Sequence, residues 1–124
     1  MVDDDAEDIY LTKRAFATDD EDIVFNGVCS GEELFEYLNQ EQRYAERQSS
    51  HYPWVILLDV NIPKEDGFDI LKRLKVDANH GHIPVIMLST SKTESDVKKA
   101  YRLGASSFFS KMVGTAEMLS LIHI

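Results

Sequence analysis

The chain has 124 residues, which is enough for one domain with a hydrophobic core but too few for two. Hydrophobic residues make up 44% of the chain and charged residues 28%, a composition typical of a folded globular protein rather than a disordered one. The net charge of −9, from 22 acidic and 13 basic residues, disfavours direct nucleic-acid binding, which depends on Lys and Arg to neutralise phosphates.

Cysteine usage and hydropathy indicate the compartment. Cys29 is the single cysteine, so an internal disulfide is excluded, and no Cys and His residues have the spacing of a zinc site. No apolar run approaches the ~20 residues that a membrane helix needs, and no signal-peptide pattern opens the chain. We therefore expect a protein of the reducing cytoplasm that does not span a membrane.

Apolar residues alternate along the chain between short continuous runs and helical spacing. This alternation is typical of a parallel sheet that is covered by helices on both faces. The continuous runs predict strands at 23–25, 54–58, 85–88 and 108–109. Helical spacing predicts helices at 9–16, 34–38, 70–74 and 97–103, with a short fifth helix at 118–122. Ser30 and Glu33 have capping-box spacing before the second helix, and Gly104 stands where the fourth helix should stop.

Polar residues follow the predicted strands at the points where the strands end. Asp59 follows the run at 54–58, and Asp3 and Asp4 follow Val2. Ser89 and Lys111 come after the next two runs. Because ligands bind at the carboxyl ends of parallel strands, these side chains can meet although they lie far apart in sequence. Carboxylates, a hydroxyl and an ammonium group are the components of a Mg²⁺-dependent site that forms an acyl phosphate.

The order of these motifs resembles the receiver domain of two-component response regulators, from about Val2 to about Glu117. The resemblance is carried by Val-Asp-Asp-Asp at 2–5, Leu-Leu-Asp-Val-Asn-Ile-Pro at 57–63, Asp-Gly at 66–67, residues 84–91, Gly-Ala-Ser at 104–106, and Lys111. The stretch at 88–92 and the long segment before Trp54 look most similar to small stand-alone regulators of the phytochrome-associated type.

The resemblance implies one receiver domain over residues 1–124 with a flavodoxin-like, doubly wound α/β fold. Its five parallel strands have the order 2-1-3-4-5, and helices cover both faces. Only Met1 and Val2 precede Asp3, and the closing segment is short. We therefore expect the first strand and the last helix to be shorter than is usual in this family.

The resemblance also assigns roles to the strand-end residues. It makes Asp59 the phosphoacceptor, with Lys111 and Ser89 contacting the phosphoryl group. Mg²⁺ would be held by Asp4 and Asp59 directly, by Asp3 through water, and by the backbone carbonyl of Asn61. From the residues alone, Asp3 and Asp4 could instead be an acidic cap on the first helix.

A conformational switch is implied as well, in which Ser89 moves toward the phosphoryl group and Phe108 fills the space that it leaves. A plain core role for Phe108 stays open. The output surface would be the fourth helix, the last strand and the fifth helix, and a homodimer could form through the same face. The expected phosphodonor is a histidine kinase, with a downstream protein target that the sequence does not identify.

One residue departs from the family pattern, because Met112 follows Lys111 where the family has proline after a cis bond. A non-proline cis bond costs about 3 kcal/mol, so this bond should be trans. The expected consequence is that Lys111 lies farther from Asp59 and that phosphorylation is slow.

Three other functions stay open. The chain could be a receiver module of a larger regulator or hybrid kinase, or a pseudo-receiver that binds partners without phosphorylation. It could also be a Mg²⁺-dependent aspartyl phosphohydrolase. Such enzymes carry a second aspartate two residues after the nucleophile, where this chain has Asn61, so we expect a signalling protein rather than an enzyme.

Overall fold

The computed structural model describes residues 1–16, 24–48, 51–90 and 93–111. Within these ranges the helices are α1 (Ala6–Phe16), α2 (Gly31–Leu38), α3 (Gly67–Val76) and α4 (Glu94–Arg102), with a 3₁₀ turn at Gln42–Tyr44. The strands are β1 (Ile56–Asp59), β2 (Asn61–Ile62), β3 (Glu65–Asp66), β4 (Val85–Ser89) and β5 (Ser107–Ser110).

The main sheet is parallel and has β4 between β1 and β5. Val2 extends this sheet, because it forms parallel single-residue bridges with Leu58 on one side and with Val28 on the other. The order is therefore Val28, Val2, β1, β4, β5, which is the predicted 2-1-3-4-5 with its first two positions reduced to bridges. The short β2 and β3 form an antiparallel hairpin directly after β1.

Helix starts depend on side chains that accept hydrogen bonds from the first free N–H groups. The Ser30 hydroxyl accepts from Glu33 N at 3.1 Å at the start of α2. Glu33 accepts in return from Cys29 N, one residue earlier than a capping box requires. Asp66 and Thr93 cap α3 and α4 in the same way. After α4, Gly104 has a φ of +104°, a conformation that suits glycine.

The apolar side chains of the sheet alternate between two faces and bury a separate cluster on each. On one face Leu58, Val85 and Met87 pack with residues of α2, α3 and α4. On the other face Leu57, Ile86 and Leu88 pack with Phe16 of α1. The prediction of an α/β fold with helices on both faces of a parallel sheet is confirmed.

Two predicted strand positions are wrong. Residues 24 and 25 form no strand, and Val28 makes the bridge instead because its carbonyl accepts from Asp3 N at 3.0 Å. Trp54 does not begin β1, which starts at Ile56; its surface is 76% exposed, so it lies outside the core. The predicted fifth helix at 118–122 lies outside the described residues.

None of the helices in the described ranges combines the length and apolar character that crossing a membrane requires.

Candidate functional site

Backbone hydrogen bonds around Val2 place two aspartates side by side at the carboxyl edge of the sheet. Val2 N donates to Leu57 O at 2.7 Å, and Asp59 N donates to Val2 O at 3.0 Å. The residue after Val2 is Asp3, so the register of this single bridge sets Asp3 next to Asp59. Two positions that are 56 residues apart in sequence are thereby brought to one edge.

Three carboxylates form a cluster at this edge. Asp3, Asp4 and Asp59 each offer an oxygen, and the three oxygens lie within 4.8 Å of one another. Asp3 and Asp59 are buried and Asp4 is exposed, so the cluster opens to solvent through Asp4. Oxygen ligands from one or two carboxylates are what Mg²⁺ and similar hard cations use in proteins, with water completing the shell. The predicted metal ligands Asp3, Asp4 and Asp59 are therefore close enough to act together.

Lys111 supplies the positive charge of the site. Its Nζ donates to Asp3 Oδ2 at 2.8 Å, to Asp8 Oδ2 at 2.9 Å and to Asp59 Oδ2 at 3.1 Å. The Lys111 side chain is 16% exposed, so these ion pairs are shielded from much of the solvent. Its backbone N also donates to Ser89 O at 2.7 Å, which aligns the end of β5 with the end of β4.

The charges in this site perturb one another. Burial raises the pKa of Asp59, and the Asn61 N–H and the Lys111 ammonium only partly offset that effect. Burial lowers the pKa of Lys111, but hydrogen bonds to Asp3, Asp8 and Asp59 outweigh it and hold the pKa above its ordinary value. A buried carboxylate whose pKa is shifted by burial and by a specific charged partner is a candidate functional group, and Asp59 meets that description.

The loop after Asp59 packs closely against the backbone of Asp59 and Val60. Asn61 N donates to Asp59 Oδ1 at 3.1 Å, which leaves Oδ2 for Lys111. A Cβ on Gly67 would lie 2.2 Å from Asp59 O and 2.7 Å from Val60 Cα, so glycine is required here by close approach. The role of the Asn61 carbonyl as a metal ligand stays a prediction.

Ser89 and Phe108 occupy buried positions on the neighbouring strands. Ser89 ends β4 and is paired in register with Ser110. Phe108 is paired with Met87, two residues before that pair on each strand. Phe108 lies in the core cluster with Met87 and Ala100. Its burial agrees with a core role, and the switch roles of Ser89 and Phe108 stay predictions.

The predicted displacement of Lys111 from Asp59 is wrong, because the two side chains are in hydrogen-bond contact. The Lys111 backbone N is bonded to Ser89 O at the end of β4, and its Nζ lies 3.1 Å from Asp59 Oδ2. The Lys111–Met112 bond itself lies outside the described residues.

Asp8 is a site residue that the sequence analysis missed. It lies in the first turn of α1, five residues after Asp3, and it does not end a strand. The sequence offered no signal for it, because Glu7 is an acidic residue of the same helical turn and only the contact with Lys111 distinguishes Asp8.

The family is shown by comparison with known proteins. A family model described as the response regulator receiver domain matches residues 1–123. The chain therefore belongs to the response regulator receiver domain family of two-component systems.

Among curated relatives, the response regulator Rcp1 of Synechocystis sp. is 29% identical over 99% of this chain and 82% of its own length. The solved bacteriophytochrome response regulator RtBRR is 34% identical, with a TM-score of 0.82 over 98% of this chain and 73% of its own. The phosphorylated cyanobacterial phytochrome response regulator RcpA is 33% identical, with a TM-score of 0.75 over 98% and 84%.

The Mn²⁺-bound form of Rcp1 matches with a TM-score of 0.74 and 28% identity over 98% of this chain and 85% of its own. The expected similarity to the phytochrome-associated type of regulator is confirmed by these relatives.

Proposed function

We propose that this receiver domain accepts a phosphoryl group on Asp59 in a Mg²⁺-dependent reaction and thereby switches a protein-interaction surface. The observation that carries the proposal is the contact of buried Asp59 with both a carboxylate cluster and Lys111. Family membership supports it, as does a relative that has been solved in its phosphorylated form.

The carboxylate cluster supports cation binding. Asp3, Asp4 and Asp59 fit a divalent cation, because their oxygens converge within 4.8 Å and two of them are buried where like charges repel strongly. The similar protein Rcp1 has been solved in a Mn²⁺-bound form. We propose Mg²⁺ for this chain, since it takes carboxylate, water and phosphate oxygens together. When bound, it would supply positive charge to the phosphoryl oxygens.

The chain's own groups would carry out the transfer. A carboxylate oxygen of Asp59 attacks phosphorus, and the bond from phosphorus to the donor breaks, with its electron pair leaving on the donor atom. Lys111 would neutralise charge on a phosphoryl oxygen, and the Ser89 hydroxyl would donate to another. The Asn61 N–H, which already bonds Asp59 Oδ1, would hold the carboxylate in one orientation during the attack.

Signalling follows from the stability of the product. Asn61 stands where an aspartyl phosphohydrolase has its general acid, so we expect the acyl phosphate to persist rather than to turn over. A histidine kinase would be the donor in the cytoplasm, and the change would be read by a partner protein rather than by nucleic acid, in keeping with the charge of −9.

The test is phosphorylation by a small-molecule donor. Incubation with acetyl phosphate and Mg²⁺, followed by intact-mass measurement, should show the addition of one phosphoryl group. Asp59→Asn should abolish the addition, while Asp66→Asn, which removes the carboxylate that caps α3, should leave it in place. Equal labelling of the wild type and Asp59→Asn would contradict the proposal.

A further inference from the structure

Asp8 is a fourth carboxylate at the site, on a different element from the other three. It lies in the first turn of α1, its side chain is 37% exposed, and its Oδ2 accepts from Lys111 Nζ at 2.9 Å. It is not part of the carboxylate cluster formed by Asp3, Asp4 and Asp59. No motif in the sequence and no role in the proposed reaction uses it.

The three hydrogen bonds of Lys111 divide its ammonium group between two kinds of acceptor. Two of the acceptors, Asp3 Oδ2 and Asp59 Oδ2, belong to residues of the carboxylate cluster. A cation bound in the cluster would compete for the same carboxylates, and it would also repel the ammonium group. The third acceptor, Asp8, stands outside that competition.

We propose that Asp8 is a positioning residue that holds Lys111 beside Asp59 when a divalent cation binds the cluster. The proposal rests on the proposed function. Asp8 gives the ammonium group an acceptor that the cation does not need, so that the lysine can release Asp3 and Asp59 without leaving the site. Cation and lysine are then bound together, as transfer to Asp59 requires.

A consequence for cation affinity follows. Without the Asp8 carboxylate, the acceptors left to Lys111 are the oxygens of the cluster, and the lysine competes with the cation for them. Loss of Asp8 should therefore weaken cation binding through Lys111, beyond the small effect of removing one negative charge nearby. Slower phosphorylation should accompany the weaker binding.

The test measures Mn²⁺ affinity by titration calorimetry in the absence of any phosphodonor. Asp8→Asn should weaken binding about fivefold or more, while Glu7→Gln should change it by less than about twofold. Glu7 is a matched control, because it is the preceding exposed residue of the same helical turn and the substitution removes the same charge. Asp8→Glu, which keeps a carboxylate within reach of Lys111, should restore part of the affinity.

A double-mutant cycle separates positioning from simple charge. In a Lys111→Met background, Asp8→Asn should have only the small effect of the Glu7→Gln control, because the competing ammonium group is gone. Unchanged affinity in Asp8→Asn, or an equal loss with and without Lys111, would overturn the proposal. Because no phosphodonor is present, these results stand apart from the proposed function, which fails separately if acetyl phosphate does not label Asp59.

Discussion

Replacement of Lys111 by methionine gives the most informative perturbation of the cation-free protein. Methionine has an unbranched side chain of similar reach but no charge, so the substitution removes the ammonium group and keeps most of the packing. It removes the cationic partner of two buried carboxylates. The Asp3 side chain is fully buried, and the Asp59 side chain is 5% exposed. Asp8, with 37% of its side chain exposed, can instead be hydrated.

The magnitude follows from the burial of the two carboxylates. Removal of one partner from a buried ion pair costs about 3–5 kcal/mol, because the remaining charge is left uncompensated. Asp4 is exposed, so water reaches the cluster and the cost should lie at the lower end of this range. We therefore expect a loss of about 3 kcal/mol in the free energy of unfolding. With an m value of about 2 kcal/mol/M, the urea midpoint should fall by about 1.5 M.

The assay is urea denaturation in EDTA and again with Mg²⁺. A cation at about 100 times its dissociation constant adds about 2.7 kcal/mol, so Mg²⁺ should restore most of the stability that the variant loses. Lys98→Met is the control, because its 3.0 Å pair with Glu94 is largely exposed and should contribute less than about 1 kcal/mol. If Lys111→Met unfolds in EDTA at the same urea concentration as the wild type, the reasoning about buried charge is wrong.

Three further predictions concern the loop after Asp59, a tyrosine and the metal. Gly67→Ala should lower the free energy of unfolding by about 2–3 kcal/mol and slow labelling by acetyl phosphate, because its Cβ would overlap the backbone of Asp59; normal stability in urea would contradict this. Burial and the hydrogen bond to Glu33 raise the pKa of Tyr44 from 10.0 to about 12. The folded state thus keeps a proton that the unfolded state has lost, so stability should fall between about pH 10 and 12 more steeply in the wild type than in Tyr44→Phe. If the urea midpoints of the two proteins change equally across that pH range, the raised pKa of Tyr44 is refuted. Asp4→Ala should weaken Mg²⁺ binding at least about tenfold, or about 1.4 kcal/mol, in titration calorimetry, and wild-type affinity would place the metal elsewhere.

The part of the site that lies at strand ends can be predicted from the sequence, because two signals coincide there. Asp59 and Lys111 each follow a short apolar run, and parallel strands bring their carboxyl ends to one edge. Asp3 is predictable for the same reason, although the strand before it is reduced to Val2, which forms one bridge to each neighbour. In each case the local pattern and the topology point to the same place.

The predicted strand positions are wrong where an apolar run lies beside, rather than at, the residues whose backbone groups pair with the neighbouring strand. Residues 24 and 25 are apolar, yet Val28 is the residue whose backbone groups meet Met1 and Asp3, so the bridge forms there. Trp54 is apolar as well, but β1 starts only at Ile56, whose N–H bonds to the O of Pro84, the residue before β4. Because Trp54 is exposed and lies at the opposite end of β1 from Asp59, we expect its fluorescence to be insensitive to metal binding.

Apolar runs that predict strands could not reveal the role of Asp8 or the position of Lys111 before Met112. Asp8 reaches the site from a helix, and only the position of the Lys111 ammonium group reveals its role. Met112 led us to expect a displaced Lys111, but the lysine contacts Asp59 and its backbone N bonds to Ser89 O. We therefore expect Met112→Pro to leave the rate of phosphorylation by acetyl phosphate nearly unchanged, and a large acceleration would restore the earlier hypothesis.

The central claim is that Asp59 is the residue that carries the phosphoryl group, and chemical location of the acyl phosphate tests it most directly. Protein treated with acetyl phosphate and Mg²⁺ is reduced with borohydride, which converts an aspartyl phosphate to homoserine, and is then digested and sequenced by mass spectrometry. Homoserine should be found at position 59, and it should be missing when Mg²⁺ is replaced by EDTA. Homoserine at Asp3, Asp4 or Asp8, with Asp59 intact, would contradict the account.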